Sequence, residues 1–173
     1  MVSTNQDTRD VLVVAGNKWA YDCYGTYSAY ITQSGRHFRP EVDRMGYYAN
    51  GAIQREFPAI LARRDDVALT QQTVRDLRSS GDTQDAQFAE LVEQLIADGI
   101  EGRTEQIFLL SGPEDPRTLR ISDPIRNTER AASGRRTAWT QGSRYVHEVV
   151  LLTGPQTTRE LAARAAGAMA HEH

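Results

Sequence analysis

The stretch DVLVVAGNKWAYDCYGTYSAYIT, residues 10–32, decides how the rest of the chain is read. Its first seven residues are an apolar, strand-forming run closed by Gly16, which predicts a buried strand. Its last eight alternate Tyr27, Ala29 and Ile31 with Thr26, Ser28 and Tyr30, which predicts a second strand. Residues 18–30 hold five of the thirteen aromatics and the only cysteine, so this segment belongs either to a core or to a binding surface. Tyr21, Tyr24, Tyr27 and Tyr30 recur every third residue, a spacing that keeps to neither one strand face nor one helix face. In a strand, Tyr27 and Tyr30 point to opposite sides, so one ring lies in the core and the other lines an outer face or a groove. A tyrosine joins a flat ring to a polar handle and suits a partly wet pocket, where a stacked base contributes about 1–3 kcal/mol per ring. Aromatic core and pocket wall both remain open on this evidence.

Residues 33–44 form a loop, with Ser34-Gly35 as turn chemistry and Pro40 against a central strand. Residues 44–53 read as a strand ending at Asn50-Gly51, a strong two-residue turn signal. Pro58 interrupts the apolar spacing of residues 53–61, leaving a short strand or a single turn, and 66–69 make another short strand. Thr70 is an N-cap for a helix over 71–80 that Gly81 closes. Thr83 caps a second helix, in which Phe88, Leu91, Val92, Leu95 and Ile96 form an apolar stripe and Gly99 marks the end. Strands follow at 106–111 and 117–122, flanking a proline-bearing turn. Residues 123–142 are polar and arginine-rich, a long functional or mobile loop. A strand over 144–152 and an alanine-rich helix, opened by the Thr157/Glu160 capping box, complete the chain. The expected fold is α+β: a compact mixed or pseudo-barrel sheet with two central helices and one C-terminal helix. It forms a single domain over 1–173, with 1–10 and 168–173 frayed.

At 173 residues, 39% apolar and 25% charged, the composition is that of a globular domain. The apolar runs fall far short of the roughly 18 residues of a membrane helix, and the polar N-terminus lacks signal-peptide features. A lone Cys23 forms no internal disulfide. These features lead to an expectation of a cytoplasmic protein. One cysteine and four histidines at no ligand spacing point to no metal. The GNK that follows the first strand lacks the glycines of a phosphate or dinucleotide loop, so no cofactor is expected.

Net charge is only −3, but it is segregated: residues 65–115 carry twelve acids against three arginines, while 126–147 carry five arginines against Glu129 alone. The second stretch makes a face for phosphate or an acidic partner; a solvated surface is the plain alternative. Nineteen of the twenty cations are arginine, a bias that fits a GC-rich bacterial genome and singles out Lys18, the sole lysine.

Two constellations carry chemistry. Residues 35–44 place Arg36, His37, Arg39 and Arg44 around a turn. Residues 134–147 interleave Arg135, Arg136, Trp139, Gln141, Arg144, Tyr145 and His147, the mixture that holds a phosphate while stacking and hydrogen-bonding a planar ring. Catalytic groupings are thinner. Cys23 with His37 or His147 would make a nucleophile and base. Ser111 lacks the glycines of a nucleophile elbow, and Asp65-Asp66 sits on a charged turn.

The segment DRMGYYANGAIQREFPAILARRDDV, residues 43–67, resembles a stretch of small bacterial PUA/EVE-like domains: an aromatic strand, a turn, then an Ile…Pro-x-Ile…Val run. The resemblance implies a pseudo-barrel with an aromatic-lined pocket that, in some members, reads a modified base. It carries over no site residue.

The leading expectation is a module that binds a nucleic-acid element or nucleotide-like ligand. Tyr24, Tyr27 or Tyr30 and Trp139 would stack; Arg36, Arg39, Arg135, Arg136 and Arg144 would hold phosphate; Gln141 would read an edge. The alternatives are a small enzyme on a phosphorylated or nucleotide substrate, using Lys18, His37 or His147, and an accessory subunit that meets a protein partner through the acidic helix at 84–98.

Overall fold

The computed structural model describes residues 10–16 and 18–170, so the expected fraying at 1–9 and 171–173 lies outside the described residues. In chain order the elements are β1 (Asp10–Ala15), α1 (Lys18–Tyr27), β2 (Ala29–Gln33), β3 (Arg44–Ala49), β4 (Ala52–Ile53), β5 (Glu56–Phe57), β6 (Ile60–Ala68), α2 (Gln71–Ser79) and α3 (Thr83–Ala97). They continue as β7 (Thr104–Leu110), β8 (Leu119–Arg120), β9 (Ile125–Arg126), β10 (Ser143–His147), α4 (Glu148–Leu151) and α5 (Thr158–Ala170). Residues 10 and 168–170, expected to fray, lie inside β1 and α5. The strands form a five-stranded sheet ordered β10-β1-β3-β4-β9, a three-stranded sheet β2-β7-β6 and a β5-β8 ribbon. Among the strands of the large sheet, β1 and β3 run parallel, whereas β10 and β4 pair antiparallel with their neighbours. The class is α+β with mixed sheets, as the sequence predicts.

Period-two alternation stacks these elements into layers. In β7, Ile107 and Leu109 face α2 and α3, packing with Phe88, Leu91, Val92 and Leu95. Phe108 and Leu110 face the other way, toward Leu12, Val14, Met45 and Tyr47 of the large sheet. The remaining face of that sheet, with Val11 and Val13, packs on Val150 and Leu151 of α4 and Leu161 of α5. The order is therefore α2/α3, small sheet, large sheet, α4/α5. Every residue of the VLVV run is at most 1% exposed because both sheet faces are covered. At about 1.5–3 kcal/mol per fully buried large side chain, these cores dominate stability.

Three local expectations are corrected. Residues 25–27 belong to α1 and not to a strand: Ala20, Cys23 and Tyr24 fall on one helical face and are buried, with Asp22, Gly25 and Thr26 outside. Ser28, at φ 50°, ends the helix by donating its N–H to the Tyr24 carbonyl at 2.9 Å, and β2 starts one residue later. The strand expected over 144–152 stops at His147 and turns into α4. The N-cap of α3 is Asp82, whose side chain accepts from the Gln84 and Asp85 N–H groups, and not Thr83. α1 and α4 thus join the three helices expected.

Four tyrosine rings meet between the sheets. Tyr47 is fully buried and stacks on Tyr24 at 5.4 Å, with Tyr21 at 5.7 Å and Tyr30 at 6.3 Å. Its hydroxyl has no hydrogen-bond partner among the described residues. An unpaired buried hydroxyl costs about 1–3 kcal/mol. Tyr47→Phe is therefore expected to stabilise the protein by about 1 kcal/mol, a rise of roughly 2–4 °C in melting temperature for a domain of this size. An unchanged or lower melting temperature would show that the hydroxyl is satisfied.

Candidate functional site

On the α5 side of the large sheet, β10, the segment 127–139 and α5 enclose a cleft of about 270 Å³. The antiparallel register with β1 sets Arg144 opposite Val13 and Val146 opposite Val11, so both face the cleft side of the sheet. Tyr145, opposite Leu12, faces the inter-sheet core. Trp139, Glu129, His147, Val150 and Leu161 line the cleft with Arg144.

Trp139 is only 4% exposed and packs against Tyr48 at 6.1 Å. The Arg144 guanidinium lies 4.9 Å from its ring centroid and donates to Glu129 Oε1 at 3.1 Å. Trp139 is thus the floor under Arg144, and the arginine plane is what meets the outside. A guanidinium seated over an indole has its inner side covered by the ring and its outer side available to a ligand. The side chains of Arg144 and Glu129 are 46% and 38% exposed, so their ion pair orients the guanidinium more than it stabilises the fold.

The segment leading to Trp139 is pinned at its root. Asn127 donates to the Tyr48 hydroxyl at 2.9 Å and to the Thr137 carbonyl at 2.6 Å, and accepts from the Glu129 N–H. Thr158 Oγ1 accepts from the Thr128 N–H at 3.0 Å. Beyond this root, Arg130 and Arg136 pair across a small hairpin whose turn uses Gly134 at φ 80°. Arg130, Arg135 and Arg136 are exposed on it, next to the cleft wall formed by Glu129 and Trp139.

Of the residues expected to bind ligand, the structure gathers Trp139 and Arg144, with Arg135 and Arg136 on the adjoining hairpin. Gln141 is exposed in the turn before β10. The others lie elsewhere. Tyr24 and Tyr30 are 1% and 4% exposed in the inter-sheet core, so neither offers a free ring face. Tyr27 donates to Asp98 beyond the end of α3. Arg36 reaches the Thr32 hydroxyl at 3.1 Å, and Arg39 lies over the ring of Tyr145, which packs with the inter-sheet core although Tyr145 also borders the cleft. The residues expected to line a single groove therefore do not all lie together; Trp139 and Arg144 do, with Arg135 and Arg136 on the adjoining hairpin.

The catalytic groupings are not assembled. His147 pairs with Asp10 at one end of β1, while Lys18 follows the other end, a separation of roughly 17 Å of strand. His37 is exposed in the loop before β3. Cys23 is buried, and desolvation pushes its thiol up to about 11, leaving little thiolate near neutrality. Ser111 is 1% exposed; its hydroxyl accepts the Ala59 N–H at 2.8 Å and bonds Thr118, a structural role. Among the described residues no group of three His, Cys, Asp or Glu side chains could hold a metal ion, and no helix is long and apolar enough to cross a membrane.

Sequence reasoning missed Glu129, Arg130 and the α5 wall. Glu129 did leave a signal: it is the one acid among the five arginines of residues 126–147. Comparison with family models, curated proteins and solved structures gives no match, so the functional reading rests on this geometry.

Proposed function

We propose that the protein is a cytoplasmic binding module for a nucleic-acid element or nucleotide-like ligand, held at the Arg144 cleft and the adjoining arginine hairpin. The observation that carries this reading is Arg144 seated over Trp139 and ion-paired with Glu129, beside three exposed arginines. A base stacks on the outer face of the Arg144 guanidinium, while Arg130, Arg135 and Arg136 neutralise phosphate. The apolar walls at Val150 and Leu161 exclude water from one side of the ring. The PUA/EVE-like resemblance of residues 43–67 supports the same class of ligand, although its residues build β3 to β6 and not this cleft.

The test is Arg135→Ala with Arg136→Ala. Both side chains are exposed and appear in no hydrogen bond or ion pair among the described residues, so the fold is expected to be kept. Each phosphate contact removed lowers the slope of log affinity against log salt by about 0.7–0.9. The double variant should bind single-stranded or duplex nucleic acid more weakly, with a slope reduced by about 1.4–1.8. Equal affinity and slope in the two proteins, for every nucleic acid and nucleotide tried, would remove the hairpin from the site.

A further inference from the structure

We infer that the ligand is a single strand of at least two nucleotides, which crosses from the Arg144 cleft into a second, polar cleft beside it. This rests on the reading of the Arg144 cleft as a base site. At about 270 Å³, that cleft falls below the roughly 300–1,000 Å³ of sites that take a whole small molecule, so it suits one base more than a complete ligand. A larger cleft of about 650 Å³ lies along β4 and β9, lined by Asn50, Gln54, Asp123, Arg126 and Gln156.

The two clefts flank one ridge. Arg126 donates its backbone N–H to the Gln156 carbonyl at 2.9 Å, and both residues line the larger cleft. Glu129 and Thr158, three and two residues further along the same two segments, line the smaller one. Three residues of extended chain span at most about 10 Å, a step that consecutive nucleotides of one strand can make.

The chemistry of the larger cleft differs from that of the first. Gln54 spends its amide N–H groups on the Ala49 and Ala52 carbonyls, which leaves its side-chain oxygen as an acceptor. Asn50 and Gln156 offer both donors and acceptors, and Asp123 accepts from exocyclic amines. Arg126 is exposed, and its side chain has no ion pair among the described residues, so it is available for the linking phosphate. Amides and a carboxylate pair with Watson–Crick edges, and those edges are open only where bases are unpaired, as in a single strand.

The experiment compares nucleoside monophosphates, dinucleotides and longer single strands on the full-length protein by calorimetry, together with a variant carrying Arg126→Ala and Gln156→Ala. A second base contributes about 1–3 kcal/mol, so dinucleotides should bind about 5- to 150-fold tighter than monophosphates. The variant should lose that gain and keep monophosphate affinity. Dinucleotides no tighter than monophosphates, or an unchanged gain in the variant, would overturn the two-cleft strand and leave the Arg144 site standing. Duplex binding as tight as single strand would also overturn it. No binding of any of these ligands would overturn the Arg144 reading itself, and this inference with it.

Discussion

Stability is expected to fall steeply as the pH rises above about 10. Burial raises the Tyr24 hydroxyl above its ordinary value, raises that of Tyr47 well above it, and pushes the Cys23 thiol up to about 11. Burial followed by the Glu56 hydrogen bond pushes Tyr21 up to about 12, and the Asp98 hydrogen bond followed by burial does the same for Tyr27. In every case the neutral, protonated form is favoured in the fold. The unfolded chain releases these protons first, so above the ordinary thiol and phenol values it binds fewer protons than the native state, and stability drops with pH. The contribution is complete below the unfolded values and is lost as pH climbs through the raised ones, around 11–12 for the groups with stated values.

Each fully coupled group removes up to about 1.4 kcal/mol per pH unit. The three buried groups, Cys23, Tyr24 and Tyr47, therefore account for up to about 4 kcal/mol per unit, with Tyr21 and Tyr27 adding less because solvent screens them. Denaturant titrations at increasing pH, followed by tyrosinate absorbance, measure the slope. Tyr47→Phe should make it shallower. A flat stability through this range would mean that the inter-sheet tyrosines are open to water.

Gly46→Ala is the second large effect. A Cβ built on Gly46 would sit 2.7 and 2.8 Å from two ring carbons of Phe57 and 3.3 Å from a Val13 methyl. Phe57 is fully buried, so its ring has little room to withdraw. The bare backbone of β3 at Gly46 is what lets the Phe57 ring of β5 approach the large sheet this closely. Overpacking of this kind costs about 1–3 kcal/mol, roughly 2–12 °C in melting temperature. Phe57→Leu alone also destabilises, but in the Gly46→Ala background it should relieve the clash. The double variant should therefore lose less than the sum of the single losses. Strict additivity would show that Gly46 and Phe57 do not share the space.

Where the sequence was legible, one signal dominated its segment. The continuous apolar run VLVV, the stripe from Phe88 to Leu95 and the Asn50-Gly51 turn each specify a single local structure, and all three stand. The reading failed where signals overlapped. The alternation of residues 25–32 hid a helix end, because only the left-handed conformation of Ser28 separates α1 from β2. The apolar run of residues 149–152 continued the strand pattern of β10, yet Val149 and Leu152 are 60% exposed on and just beyond the turn of α4.

The candidate site was half legible for a related reason. Arg39 and Arg144 look alike in the sequence, but a one-residue alternation in β10 sends Tyr145, with Arg39 stacked on it, to the opposite face from Arg144. That register is fixed by pairing with β1, more than a hundred residues away in the chain, and no local pattern encodes it.

The most direct measurement uses the Trp19→Phe protein. Trp19 is 44% exposed, and its replacement leaves Trp139 as the sole tryptophan. Short single strands titrated at low and moderate salt should produce a saturable change in Trp139 emission, with an affinity that weakens as salt rises. Strands that bind by anisotropy without altering that emission, or that do not bind at all, would contradict a ligand site at Arg144.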